Sequence, residues 1–221
     1  DKLFALNKTI NWKPKSTGEG RFGNWLENMV DWNLSRSRYW GTPLPIWRTE
    51  DGTEQLCIGT IAQLREELLK SIEAGFVSRD RAIDQLLSDL HKPFVDEIIL
   101  VSPSGKPMHR VPDLIDVWFD SGAMPYAQWG LPDTSSNQFG PLSPENFFQY
   151  HTLNGKVSAN AFPASFIAEG VDQTRGWFYT LHAIASLLFD SVAYKTVVSN
   201  GLVLDKNGNK MSKRLGNVVD P

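Results

Sequence analysis

The chain has 221 residues, 41% of them hydrophobic, and a formal net charge of −3. That is enough apolar material for a real core in one moderately large domain, or one and a half smaller ones, but the charge is not that of a surface that grips nucleic acid by itself. A single cysteine, Cys57, excludes an internal disulfide and a multi-cysteine zinc site. It points to a reducing, cytoplasmic compartment, with the thiol expected as a small buried hydrophobe. No apolar run approaches the roughly 20 residues that span a bilayer, and Asp1–Leu6 is too short for a signal-peptide core. No internal repeat or low-complexity segment is visible.

Residues 1–47 open as a loose lead containing Pro14, Gly18 and Gly20, followed by a predicted helix near 23–33. An element with Arg36, Arg38, Tyr39 and Trp40 comes next. It could meet phosphate groups, although arginines among aromatic rings more often stack and bridge elements. Residues 48–112 look like a connective insertion. The spacing of Ile61, Leu64, Leu68 and Ile72 predicts a helix over 61–74. A second helix is expected over 82–90, and Ile98–Val101 reads as a strand that turns at Pro103-Ser104-Gly105.

Residues 113–221 carry strand, helix and strand elements of a doubly wound α/β sheet. In 116–122 the alternation of Val117 and Phe119 with Trp118 and Asp120 predicts a strand ended by Ser121-Gly122. Trp118 there is either plain core or the wall of a side-chain pocket. The stretch 130–160 reads mainly as loop, with a helix near 144–150. Ala164–Ala168 reads as a buried strand stopping at Glu169-Gly170. A helix should follow from Gln173 to about Phe189, with Asp172 as its N-cap and Trp177, Leu181, Ile184 and Leu188 on its apolar face. Glu169, Gly170, Asp172 and Gln173 therefore fall where a strand ends and a helix begins, the end of an open α/β sheet at which ligands bind. The bland alternative makes Asp172 only a cap and Glu169 only a solvated acid. The histidines, His91, His109, His151 and His182, are scattered, and His182 is expected as a packing or surface residue.

The most informative run is Lys206-Asn-Gly-Asn-Lys-Met-Ser-Lys-Arg214. An apolar run, Thr196–Leu204, leads into it, and Asn207-Gly208-Asn209 supplies a turn. Lys210 and Lys213 flank Met211-Ser212 on a short loop. Lysine is a compact charge on a flexible stem, suited to an anionic ligand whose charge moves during reaction. A solvated basic turn is the commoner fate of such a sequence.

Taken in order, the three segments 116–122, 168–178 and 206–214 resemble the isoleucyl-tRNA synthetase family of class I aminoacyl-tRNA synthetases. Lys-Met-Ser-Lys-Arg (210–214) matches the family's KMSKS signature, with Arg214 in place of the last serine. Ala-Glu-Gly-Val-Asp-Gln-Thr-Arg-Gly-Trp-Phe (168–178) is close to the stretch that holds the aminoacyl-adenylate. Asp31–Pro45 looks like the return from an inserted editing domain, and Leu215–Pro221 fits as well. The other signature of the class, His-x-Gly-His, is absent. The resemblance therefore implies the second half of a catalytic core: 1–47 the return segment, 48–112 the connective insertion, 113–221 the nucleotide-binding half of a Rossmann-like domain. The missing initiating Met and the end at Pro221 add to the expectation of a fragment.

On this resemblance, isoleucine is joined to ATP and then passed to tRNA(Ile). The carboxylate is already anionic, so catalysis rests on positioning and on stabilising phosphoryl charge. Lys210 and Lys213 would act on the leaving phosphates. Glu169, Gly170, Asp172, Gln173 and Lys213 would bind ATP and the aminoacyl-adenylate. Trp118 and Trp177 would flank the aliphatic side chain. Mg²⁺ would accompany ATP, with no protein ligand identifiable. No membrane or disulfide partner is implied. A valyl or leucyl relative, and a non-catalytic adenylate-binding module that kept the fold, are the alternatives.

Overall fold

Elements of two kinds, short strands joined by tight turns and strands joined through a helix, give the described residues three sheets: one parallel, one four-stranded antiparallel and one antiparallel pair of two-residue strands. The structure, a computed structural model, describes residues 2–80, 82–128, 162–212, 214 and 216–218. The expected loop and helix within 130–160 lie outside them, as does Lys213. Among the described residues the helices are α1 (Lys2–Asn7), α2 (Gly23–Glu27), α3 (Ile61–Glu73), α4 (Ile83–Leu86), α5 (Val117–Ala127) and α6 (Trp177–Phe189). The strands are β1 (Asn11–Lys13), β2 (Ser35–Arg36), β3 (Ile46–Thr49), β4 (Gln55–Cys57), β5 (Ile99–Val101), β6 (Pro107–Arg110), β7 (Leu114–Ile115), β8 (Ile167–Gly170) and β9 (Thr196–Asn200). They group into two units, Asp1–Asp31 with Ser121–Pro221, and Trp32–Asp120.

The first unit is built on a parallel sheet in the order β1-β9-β8. The connection β8–α6–β9 is a β-α-β crossover, the link parallel strands require. Its register pairs Glu169 with Ser199 and Gly170 with Asn200. Trp12, Phe22, Phe178, Tyr194 and Val197 form the core. The Tyr194 hydroxyl donates to the Phe178 carbonyl at 2.8 Å, so its one polar group is satisfied where water cannot reach. His182 is fully buried, with Nε2 2.8 Å from the Leu3 carbonyl. A carbonyl only accepts, so Nε2 carries the proton.

The second unit is antiparallel, in the order β4-β3-β6-β5, and α3 covers a core of Trp47, Leu64, Leu68, Ile98, Leu100 and Met108. Thr60 caps α3 by accepting the Gln63 N–H at 3.0 Å. Gln63 reaches back to the Gly59 N–H at 2.8 Å, a reciprocal arrangement that satisfies two otherwise orphaned donors. The buried Arg110 side chain pairs with Asp96 and donates to the carbonyls of Leu44 and Asp113.

Several expected elements differ. The segment 116–122 is not a strand: Asp116 stands ahead of helix α5, its Oδ1 accepting the Trp118 N–H at 3.2 Å and its carbonyl the Phe119 N–H at 2.8 Å. An aspartate at that position nucleates a turn whatever the alternation beyond it suggests. The expected 82–90 helix is only α4, because Ser88 bonds back to the Gln85 carbonyl and Asp89 captures the His91 N–H. The 23–33 helix ends at Glu27 and is preceded by a wide π-type turn, Thr17–Phe22. Cys57 is exposed, since Leu56 takes the core side of β4 and its neighbours point away. Leu188 is also exposed, at 56%. Leu181 and Ile184 are buried as expected, and Phe178, His182, Ala185 and Phe189 are buried with them.

Candidate functional site

The parallel pairing of β8 and β9 puts their C-terminal ends at one edge of the sheet. Each strand there feeds a polar segment, and the ends of parallel strands are where open α/β sheets bind ligands. From β8 the chain passes Glu169 and Gly170, both still in the strand, into a 3₁₀ turn, Val171–Arg175, and then α6. The strand runs further and the helix begins later than the sequence predicts.

Glu169 and Asp172 are exposed. A Cβ on Gly170 would lie 2.6 Å from the Asp172 Oδ1, so glycine leaves room for that carboxylate. Asp172 does not cap the helix. Its Oδ2 accepts from Gln173 Nε2 at 3.1 Å, and Gln173 Oε1 accepts the backbone N–H of Trp177 at 3.0 Å. The reason is Gly176, whose backbone (φ −139°, ψ −117°) interrupts the helical run. The first α-helical residue is thereby moved to Trp177, within reach of residue 173 and not of 172.

The turn itself is pinned. The buried Thr174 donates to the Val171 carbonyl at 2.8 Å and accepts from Arg21 Nε at 2.9 Å. Arg175 lies over the Trp25 ring at 5.1 Å. The Trp177 indole donates to the Ser121 carbonyl at 3.2 Å. Arg21, Thr174 and Ser121 are missed by sequence reasoning, because nothing in the local pattern announces partners this far away along the chain.

Beyond β9, the segment 204–210 is a hairpin with Leu204 bridged to Lys210. Asp205 organises it. Its carboxylate accepts the N–H groups of Asn207 at 2.9 Å and Asn209 at 2.8 Å, and the Asn217 amide at 2.8 Å. These bonds, that of Asn217 foremost, hold the Asp205 carboxyl below the usual carboxylate range. Asn217 Oδ1 in turn accepts the Ser212 N–H at 2.8 Å. Lys210 is exposed, and among the described residues no carboxylate forms an ion pair with it. Asp205 was legible: an aspartate just ahead of Asn-Gly-Asn is a turn signature.

Trp118 belongs to the other unit, in the first turn of α5, and is 42% exposed. It is not part of a buried core. The Asp116 side chain beneath it is only 5% exposed. A buried carboxylate needs compensating donors, and Asp116 has them: Arg36 Nη2 at 2.5 Å, Trp32 Nε1 at 2.9 Å and the Trp118 N–H. Arg36 further donates to the carbonyls of Asn33 and Ser35. This arginine braces the start of α5 through its ion pair and hydrogen bonds. Burial raises the Asp120 carboxyl pKa, a bond from Thr42 opposes the rise, and the Asp116 charge adds to it.

Thus Glu169, Gly170, Asp172, Gln173 and Trp177 share one strand–turn–helix segment, and Lys210 sits on the hairpin that follows the neighbouring strand. Among the described residues no three His, Cys, Asp or Glu side chains converge as a metal site, and no helix is long and apolar enough to cross a membrane.

The family of tRNA synthetases class I (I, L, M and V) matches residues 1–221. Isoleucine–tRNA ligases from Cytophaga hutchinsonii and Bacteroides thetaiotaomicron are 62% and 58% identical to the chain over all of it. One from Bdellovibrio bacteriovorus is 47% identical, again over the whole chain. The chain spans only 18% of the Cytophaga protein and 19% of the Bacteroides one. The α/β arrangement of β8, α6 and β9, with its polar strand ends, is that of a piece of a synthetase catalytic core, and this chain belongs to the tRNA synthetases class I (I, L, M and V).

Proposed function

We propose that the chain is part of an isoleucine–tRNA ligase, the second half of its catalytic core. The observation that carries this is the identity of 62% over 221 residues with a protein of that name. Valyl and leucyl activity is less favoured, because relatives at 62% and 58% identity are isoleucine–tRNA ligases.

In the reaction, a carboxylate oxygen of isoleucine attacks the α-phosphorus of ATP. The bond from that phosphorus to the bridging oxygen breaks, and pyrophosphate leaves with the electron pair. A terminal ribose hydroxyl of tRNA(Ile) then attacks the acyl carbon, loses its proton and releases AMP. No side-chain nucleophile is needed, so the protein's part is positioning and charge stabilisation. Lys210 and Lys213 neutralise charge growing on the leaving phosphates. Asp172 accepts from ribose hydroxyls, and Glu169, Gly170 and Gln173 hold the adenylate near its polar junction. Trp118 and Trp177 wall the aliphatic side chain. Mg²⁺ would accompany the triphosphate and would supply further charge neutralisation; among the described residues no side chain is identifiable as its ligand.

An apolar wall separates isoleucine from valine by one methylene only, which is why a separate editing domain is expected in the longer protein. Isoleucyl enzymes are the standard example of that limit. Residues 1–47 serve as the return from that domain, 48–112 as the connective insertion and 113–221 as the nucleotide-binding half. The protein works in the cytoplasm.

Pyrophosphate exchange into ATP by the full-length protein is expected with isoleucine, weakly with valine and not with leucine. Exchange driven best by valine or leucine would overturn the assignment, and none at all would favour a non-catalytic module. The 221-residue chain alone should support no exchange, since it lacks the His-x-Gly-His half of the ATP contacts.

A further inference from the structure

The turn that carries Asp172 and Gln173 is closed by one hydroxyl. Thr174, fully buried, gives its single proton to the Val171 carbonyl at 2.8 Å. Asp172 and Gln173 are the two residues enclosed by that bond. A hydroxyl that has given its proton can only accept from a further partner, and Arg21 Nε donates to it at 2.9 Å. Arg21 is exposed, but the backbone that presents it is anchored. It lies in the π-type turn Thr17–Phe22, a geometry that recurs at functional sites. The Gly18 carbonyl accepts the Gly23 N–H, the bond that makes this turn wide, and also the buried Asn7 Nδ2 at 3.0 Å. Asn7 Oδ1 in turn accepts the Trp12 indole N–H at 2.8 Å, and Trp12 belongs to β1 of the parallel sheet. A Cβ on Gly18 would stand 2.2 Å from Trp12 Cδ1, so glycine is what lets the turn lie on that ring. A continuous line of hydrogen bonds and backbone thus runs from the sheet, through Arg21, to the 3₁₀ turn.

We propose that Arg21 is a positioning residue for adenylate formation: its Nε–H on Thr174 holds the Val171–Thr174 turn so that Asp172 and Gln173 meet the nucleotide in the right place. The nucleotide half of this statement rests on the roles given to Asp172 and Gln173 under the proposed function. Arg21 acts through Thr174 and needs no contact with ATP. Without its donor the buried Thr174 oxygen is left short of a partner, and the turn opens more readily. Trp177 is held separately, by its indole bond to the Ser121 carbonyl and by the body of α6. The effect therefore falls on the nucleotide and spares isoleucine. What Arg21 supplies is a donor at the Nε position, not a charge. Glutamine places its amide nitrogen the same number of bonds from the backbone, so it can supply that donor without the charge.

The test uses the full-length protein with Arg21→Ala, Arg21→Gln, Thr174→Val and the double variant of Arg21→Ala with Thr174→Val. In pyrophosphate exchange, Arg21→Ala should raise KM for ATP by about 3- to 10-fold, the size of one net hydrogen bond, and leave KM for isoleucine nearly unchanged. Hydrogen exchange should accelerate at the Gly176 and Trp177 amides, both of which are bonded to Gln173, and not along the rest of α6. Arg21→Gln should behave almost as the unmutated protein. Thr174→Val should itself raise KM for ATP, and adding Arg21→Ala to it should change little further. Arg21→Gln as impaired as Arg21→Ala, or amide exchange unmoved in Arg21→Ala, overturns the proposal. So does an Arg21→Ala effect that persists in full beside Thr174→Val, since the guanidinium would then act on a ligand directly. The preference for ATP over dATP tests the underlying reading separately. It should shrink in Arg21→Ala; if the unmutated protein shows no such preference, the ribose role of Asp172 is wrong, while amide exchange and the Arg21→Gln comparison still decide what Arg21 does.

Discussion

The two units of this chain solve the same packing problem with opposite sheets. In the antiparallel unit, residues 32–120, the ladder of β4, β3, β6 and β5 is organised around Trp47, whose indole donates to the Ile98 carbonyl at 2.8 Å. Its edge polar groups pair with one another, as Lys106 does with Asp51 at 2.7 Å and the Glu54 carboxylate with Ser102 and Ser104. In the parallel unit the polar groups gather where β8 and β9 end, and several of them stay exposed: Glu169, Asp172 and Lys210. Antiparallel strands turn back within a few residues, so their ends are consumed by turns. Parallel strands end together and release the chain into longer connections, which leaves a shared edge for a ligand. The exposed polar groups at the strand ends of the parallel unit follow from that topology, not from composition.

The sharpest break of this comparison is in the signature run 206–214. In the full-length protein, Lys213→Ala is expected to slow adenylate formation by about 10²-fold, the usual cost of removing one preorganised group that stabilises developing charge. Isoleucine KM should stay nearly constant. Loss of isoleucine binding alone, measured by exchange kinetics, would mean that Lys213 has a different role. Next in size, Trp47→Ala should cost about 3–5 kcal/mol of local stability. Hydrogen exchange should accelerate across β3 and β6 while β8 and β9 keep their protection. Equal acceleration in both sheets would show that the units are one cooperative block.

Two smaller effects sharpen the contrast within the parallel unit. Burial lowers the His182 pKa, the bond to Leu3 opposing it. The unfolded chain therefore binds the proton first, and stability present above the ordinary value of 6.5 is lost as pH falls toward the folded pKa. In a full-length His182→Phe variant that still folds, the unfolding midpoint should lose this slope; an unchanged slope would assign it to another group. Asp205 has the smallest reach. Asp205→Ala should speed amide exchange at Asn207, Asn209 and Ser212 but not along α6. In the unmutated protein the same protection should fade as pH drops below the ordinary carboxylate value of 3.8 and through the depressed pKa of Asp205. Exchange at the hairpin base unaffected by Asp205→Ala would place its order elsewhere.

What the sequence by itself determined were features carried by neighbours along the chain. The helix over 61–74 followed from the spacing of Leu64 and Leu68, and the strand near Ile98–Val101 from its β-branched run. The polar cluster at 169–173 and the lysine-bearing hairpin could be read because each signal is local. Tertiary structure decided the rest. The alternation in 116–122 suits a strand, but Asp116 is buried against Arg36 and Trp32, far away along the chain, and from there it starts a helix. Asp172 looks like a cap until Gly176 shifts the first turn and hands that role to Gln173. The bonds from Arg21 to Thr174 and from Trp177 to Ser121 join positions with no periodic relation. Propensity and pattern act over a few residues, whereas a buried carboxylate or a glycine without a Cβ is resolved only by whatever the fold places beside it.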